Sequence, residues 1–394
     1  VLIMIVEVTA ITSATSLAVP ASAYGPRMSA LLDVSVVLYF FGSCISYLIL
    51  TGGTLGHVLH LALPDESTLV AQLGIADHDL YLVGPGPHAV RRAISHYGGN
   101  VMLAGFTAAA MLPLSCHRSA TKMASFSSVV AFVYMYLCAA VLSGQPAADH
   151  REPTADPQHS PTHLLWAVMR CMCVALYCFS SQAVYPSTLE AIYKEGGPRA
   201  KPLALAVSSA TYFLTFVAYS TVGIGGYLVM PGRPPANVLH GYAPTPMLLL
   251  SHAMLVAALG LSFPLMLLVA REHLKHLLQE RCAYRPPHRE LTAFLVFLAL
   301  FVAIVFPSVE VFLGLVGATC SVTLTFVIPP LLYKHHVLDD LNSAARTWGL
   351  VCVYAMLVLG VVVAAVAIPV QVHELLIFLH RRRAPVTQHP APVF

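Results

Sequence analysis

Residues Cys171 to Lys194 read CMCVALYCFSSQAVYPSTLEAIYK, an apolar run broken midway by Ser180, Ser181 and Gln182 and then by Pro186. A proline removes one helical N–H and crowds the carbonyl four residues back, so the backbone here can open and bare the peptide groups that would cradle a ligand. A second reading stays open on the residues alone: a continuous helix whose serines bond back to the preceding turn and whose proline only kinks it. In either reading the polar groups lie in a stretch that is otherwise lipid-like, and such groups need protein or water around them. Arg170, near the start of the run, reads as a side chain that snorkels outward.

Composition says that lipid is the solvent. Of 394 residues 57% are apolar and 10% charged, against about 25% charged in an ordinary soluble domain. So few charges could not clothe a water-soluble particle of this size, which excludes a soluble enzyme. A net charge of +3, with no basic run interleaved with aromatics, excludes a nucleic-acid partner. There is no Walker loop, dinucleotide-binding glycine motif, HExxH or GxSxG, so neither catalysis nor a cofactor is expected. Cys44, Cys138, Cys171, Cys173, Cys178, Cys320 and Cys352 lie in apolar runs and read as packing residues, while Cys116 and Cys282 sit in short basic connections.

A helix needs about 20 mainly apolar residues to cross a bilayer. Whole runs near that length are Leu31 to Leu50, Val101 to Leu114, Ala124 to Leu142, Leu164 to Glu190, Leu203 to Met230, Met247 to Ala270, Leu291 to Phe306, Val311 to Tyr333 and Gly349 to Val370. The second and seventh are short and should begin earlier, in their polar flanks. Val1 to Ile11 is apolar but too short to span, has no basic segment before it and contains Glu7. It reads as the end of a spanning helix that begins upstream rather than as a signal peptide. The fold class expected is all-α, a polytopic membrane protein.

Short cytoplasmic loops are enriched in Lys and Arg. If Val1 to Ile11 runs inward, Arg27, Arg118, Lys122, Lys194, Arg199, Lys201, Arg271, Lys275, Arg281, Arg285, Arg289, Lys334 and Arg346 fall inside, against Arg91, Arg92, Arg151 and Arg233 outside. Arg381, Arg382 and Arg383 fall outside on the same walk and have no physical account in it. Pro64 to Asn100 and Ser143 to Thr162 read as linkers. REHLKHLLQERCAYRPPHR, from Arg271 to Arg289, has the leucine spacing of an interfacial helix. His273 and His276 there, two ligands without a nearby carboxylate, read as solvated helix residues rather than a metal site.

Further polar signals lie at membrane depth. Ser262 stands two residues before Pro264, where its hydroxyl and freed carbonyls could ligate a small cation; a bond to the preceding turn is the simpler reading. Gly314, Gly317, Ala318 and Ser321 make a small-residue face suited to close packing. Gly42, Ser43, Ser46 and Tyr47 offer a polar stripe for packing or pore lining, and His252 reads as an ordinary bonded histidine.

In this order, the segments FGSCISYLILTGG, MLPLSCHRSATKMASFS, YCFSSQAVYPSTLEAI, VGIGGYL, LSFPLMLLVARE and PSVEVFLGLVGATCSVTLTFVIPPLLY resemble the third, fourth, sixth, seventh, eighth and tenth helices of the amino acid/auxin permease family, especially its neutral amino acid transporters. The resemblance implies a LeuT-like inverted-repeat transporter of eleven transmembrane helices, about ten of them present here. Residues 1–142 would be the remainder of the first repeat without its first helix, 163–333 the second repeat, 349–370 the eleventh helix and 381–394 a tail. It places Phe179, Ser180, Ser181 and Gln182 at the unwound part of the sixth helix, with Gly42 and Ser46 facing the amino acid substrate and Ser262 at a cation-coordinating position. Gln182 stands where the family commonly has His, and the alignment drops one residue before Pro186.

The expectation is a secondary active transporter of amino acids working by alternating access on a proton or sodium gradient, in the plasma membrane or an acidic vesicle membrane. The alternatives are an amino acid sensor that signals through a cytoplasmic partner, and an inactive truncated fragment. Partners expected are the small-molecule amino acid and the lipid bilayer, with no metal.

Overall fold

The computed structural model describes residues 25–64, 89–116, 120–145, 161–180, 200–230, 237–338 and 343–383, together with Met4, Ile5, Val6, Val8, Ala21, Thr68, Tyr185, Ile192 and Pro235. Among them the chain is all-helical, with no extended strand. In order come α1 (Pro26–Ala62), α2 (Ala89–Phe106), α3 (Leu112–Ser115), α4 (Ala120–Ser143), α5 (Pro161–Cys178), α6 (Ala200–Val229), α7 (Pro246–Cys282), α8 (His288–Val305), α9 (Val309–Val316), α10 (Ile328–His336) and α11 (Ser343–Arg383). Seven stretches among the described residues are long and apolar enough to cross a membrane. Val129–Ser143 and Leu164–Cys178 are shorter apolar helices. The chain is a multi-pass membrane protein.

Its outer surface has the chemistry that lipid requires. Val101, Phe132 and Leu228 are each 72% exposed and Val361 is 67% exposed, positions that would be costly against water and are ordinary against acyl chains.

The helix α1 is the axis of the packing. Its amino-terminal half buries Leu32, Val36 and Phe40 with Ala270, Val316, Leu324 and Leu332, and Ile5, Val6 and Val8 join this core. Its carboxyl-terminal half buries Cys44, Ile45 and Leu48 with Leu103, Phe263, Leu267 and Leu295. Helices that share no water-driven attraction in lipid hold together by close approach, and small residues permit it. Gly99 meets Gly56 so closely that an added Cβ would lie 2.8 Å from the Gly56 Cα.

Several boundaries differ from the sequence expectation for identifiable reasons. The helix α2 starts at Ala89, ahead of the span it carries, and its Arg91 donates to the carbonyls of His60 (2.7 Å) and Leu63 (3.1 Å), filling acceptors that the end of α1 leaves open. Part of Pro64 to Asn100 is therefore helix rather than linker. From Arg271 to Cys282 the chain does not form a separate interfacial helix but continues α7 without a break. Arg271 is not a loop residue either: it is fully buried. The basic triplet Arg381 to Arg383 is the last turn of α11.

Two stretches widen into π-helix, Thr107–Met111 before Pro113 and the pair Gly317–Ser321 and Thr323–Val327 before Pro329 and Pro330. A proline cannot donate to the carbonyl four residues back, and a widened turn is one way to absorb the misfit.

Candidate functional site

The helix α5 stops at Cys178, inside the apolar run that ends only at Glu190 in sequence. Phe179 N still donates to Ala175 O at 3.1 Å, Ser180 N closes a tighter turn onto Tyr177 O at 3.1 Å, and Ser180 has left the helix. The Ser180 hydroxyl donates back to Leu176 O at 2.6 Å and lies 3.4 Å from Thr325 Oγ1 in the second π stretch. Ser181 and Gln182 lie outside the described residues.

Aromatic residues surround this helix end. The Phe179 ring stacks on Tyr212 at 6.4 Å and meets Tyr219 edge-on at 5.5 Å, and Tyr212 OH donates to Phe179 O at 3.5 Å. From α1, Tyr39 packs on Tyr177 at 5.2 Å between ring centroids and donates its hydroxyl to Tyr177 O at 3.1 Å. Carbonyls at a helix end are acceptors with negative partial charge, and here two of them are met by phenol hydroxyls that a ligand's ammonium group could replace. Tyr39 is absent from the residues that the sequence singles out, although it lies one turn before Ser43 on the same polar stripe.

Of the stripe itself, Ser43 and Ser46 donate to Tyr39 O (2.7 Å) and Gly42 O (2.9 Å) of their own helix. Gly42 is buried against Val316, whose Cγ2 lies 2.5 Å from where a Cβ would stand. These residues thus serve α1 packing in this structure, and Tyr39 reaches the end of α5 instead. On the small-residue face of α9 and its π extension, Gly317 lies under the carbonyl of Cys173, and Gly314 under the side-chain amide of Gln371.

The half-buried Ser262 makes no hydrogen bond among the described residues, unlike Ser43, Ser46 and Ser251. Pro264 lies within the unbroken α7, so the Gly260 carbonyl, four residues back, lacks its helical donor. A hydroxyl and a carbonyl without helical duties are oxygen ligands of the kind hard cations prefer.

Two buried polar groups lie away from this region. Arg271 donates through Nη1 to Ser115 O and to Thr292 Oγ1, both at 2.9 Å, tying α7 to α3 and α8. At the other end of α7, His57, His240 and His252 stack with centroids 4.2 to 5.7 Å apart. His252 Nδ1 lies 2.8 Å from Leu248 O, which can only accept, so Nδ1 carries the proton. Burial, then the neighbouring His57 and His252 rings, lower the His240 imidazole from 6.5 to about 3.

This fold and site define a polytopic helical membrane protein in which an apolar helix ends among tyrosine hydroxyls. A family model described as transmembrane amino acid transporter protein matches residues 13–372, and the chain belongs to that family, which is one of transporters and not of enzymes. Among its relatives is solute carrier family 38 member 10 of Mus musculus, 25% identical over 326 residues, which are 79% of this chain and 27% of that protein. The protein of the same name in Homo sapiens is 29% identical over 256 residues, 60% of this chain and 22% of that protein. The putative sodium-coupled neutral amino acid transporter 10 of Xenopus laevis is 28% identical over 242 residues, 57% of this chain and 22% of its own length. The chain therefore spans less than a third of the length of the curated relatives it matches.

Proposed function

We propose that the chain carries out secondary active transport of small amino acids by alternating access, driven by a sodium or proton gradient. The observation that carries this reading is the end of α5 at Cys178 beside Tyr39, Tyr212 and Tyr219. There an amino acid's ammonium group meets main-chain carbonyls, and its side chain meets the Phe179 ring. Ser180, Ser181 and Gln182 complete the contact with the carboxylate, and Tyr39 faces them from α1, whose seating Gly42 and Ser46 support. Ser262 and the Gly260 carbonyl hold the coupling cation. Residues 1–142 belong to the first repeat of a LeuT-like inverted pair and 163–333 form the second, and rocking of one bundle against the other exposes the site to each side in turn. Family membership supports the substrate class.

The test is uptake of radiolabelled amino acids into proteoliposomes holding the full-length polypeptide, under sodium and proton gradients separately. Saturable uptake that Phe179→Ala weakens by about tenfold in KM, with expression unchanged, is the expected result. No saturable uptake across a broad panel under either gradient would refute the reading.

A further inference from the structure

On α1, Asp33 is a carboxylate with no solvent exposure, and both of its oxygens are met by imidazoles of α7. His273 Nδ1 lies 2.7 Å from Oδ1 and His276 Nδ1 lies 2.7 Å from Oδ2. The far side of the His276 ring faces a second carboxylate, with Nε2 3.5 Å from Glu280 Oε1. His273, His276 and Glu280 share one face of the α7 continuation, and Asp33 comes from the neighbouring helix. Glu280 lies within a turn of His276 in sequence, but the carboxylate that both imidazoles meet, Asp33, is some 240 residues away along the chain.

We propose that Asp33, His276 and Glu280 form a binding site for a divalent transition-metal ion of the zinc class, with His273 as the positioning residue that holds the other Asp33 oxygen. One ligand atom from each of the three lies within 4.8 Å of the others. An imidazole offers one nitrogen to one ion, so the ion would sit on His276 Nδ1 beside Asp33 Oδ2, a 2.7 Å contact. That contact must widen toward about 3.3–3.6 Å, the spacing set by bonds of about 2.0–2.2 Å at tetrahedral angles. The partly exposed Glu280 side chain would turn from Nε2 to complete the set. One imidazole and two carboxylates suit a borderline ion better than an alkali cation. A hydrogen-bond donor to the second oxygen of a ligating carboxylate is the outer support such sites use. Glu280 and His276 are partly exposed, with side chains 38% and 43% accessible, which gives the ion a way in. The bound ion would join α1 to α7 where Arg281 Nη2 already donates to Pro26 O at 3.0 Å. This site is independent of the transport reading.

The experiment is zinc titration by calorimetry on the purified full-length polypeptide in nanodiscs after chelator treatment, with cobalt absorption as a second probe. The expected result is one site that Glu280→Gln weakens by about tenfold or more and that Asp33→Asn abolishes, with His380→Gln, on the exposed end of α11, leaving it unchanged. Zinc should also raise the unfolding temperature of the parent protein and not of Glu280→Gln, whose partly exposed side chain makes that variant safe for folding. Zinc binding of equal affinity and stoichiometry in parent and Glu280→Gln, or none in the parent, overturns the site and leaves Asp33 as a hydrogen-bonded tie between the two helices.

Discussion

Arg271 and Thr292 meet at 2.9 Å with neither side chain reaching solvent, the threonine hydroxyl accepting from the guanidinium while it donates to His288 O at 2.7 Å. One hydroxyl thus joins a buried charge on α7 to the first turn of α8. Thr292→Val keeps the shape and deletes the acceptor, which should cost about 1–3 kcal/mol. Thermal unfolding in detergent checks this: a lower midpoint for Thr292→Val is expected, and an unchanged midpoint would show that the bond contributes nothing.

At Gly317 an added methyl group would land on the main-chain oxygen of Cys173, which cannot swing aside as a side-chain tip could. Gly317→Ala should therefore part α5 from the π stretch and destabilise the protein by about 1–3 kcal/mol. Gly223 on α6 has open space, with nothing within 4 Å of where a methyl group would stand, and serves as the comparison. Gly223→Ala should be neutral or slightly stabilising, since alanine suits a helix interior better. Equal effects of the two substitutions on the unfolding midpoint would count against the packing argument.

Acid should loosen the histidine stack. His240 titrates at about 3 in the folded protein against an ordinary 6.5. Above 6.5 both folded and unfolded chains hold it neutral and stability does not depend on it. Between 6.5 and about 3 the unfolded chain binds a proton that the folded chain refuses, so stability falls as pH falls through that window. His57 and His252 face the same ring. Unfolding midpoints measured from pH 7.5 down to 4.5 should drop, and His240→Phe, which keeps a flat ring, should make the drop shallower. A variant with the parent's slope would mean that other groups govern it.

Ser262 distinguishes cation ligation from packing. Ser262→Ala should weaken the apparent affinity for the coupling ion by roughly tenfold, about 1.4 kcal/mol, while Ser262→Thr keeps the hydroxyl and most of the affinity. Uptake measured against increasing sodium, and separately against proton gradients, reads this out. Identical ion dependence in the alanine variant would remove Ser262 from the cation site.

The spans were legible because length and apolarity are local properties that bilayer thickness imposes on each segment separately. The end of α5 at Cys178 was one of two readings that the run allowed, since Ser180 and Pro186 lie within it, a continuous helix being the other. Arg271 and Asp33 were not legible. Arg271 looks like a loop cation until Ser115 and Thr292 are brought to it, and His273 and His276 look solvated until Asp33 arrives from α1. Tyr39 shows the same limit: its hydroxyl partner, Tyr177 O, belongs to a different helix. Residues whose roles depend on partners far away in the chain leave no local trace.

The helix α7 has 37 residues, which at about 1.5 Å each makes a rod about 55 Å long, against about 30 Å of hydrocarbon. Even if tilted, it must stand clear of the acyl chains at one end or both. Because Pro264 does not interrupt it, Ser262, Arg271 and His276 ride on a single stiff lever. A tilt at Ser262 is therefore carried to the imidazoles that meet Asp33, so the two ends of α7 change posture together.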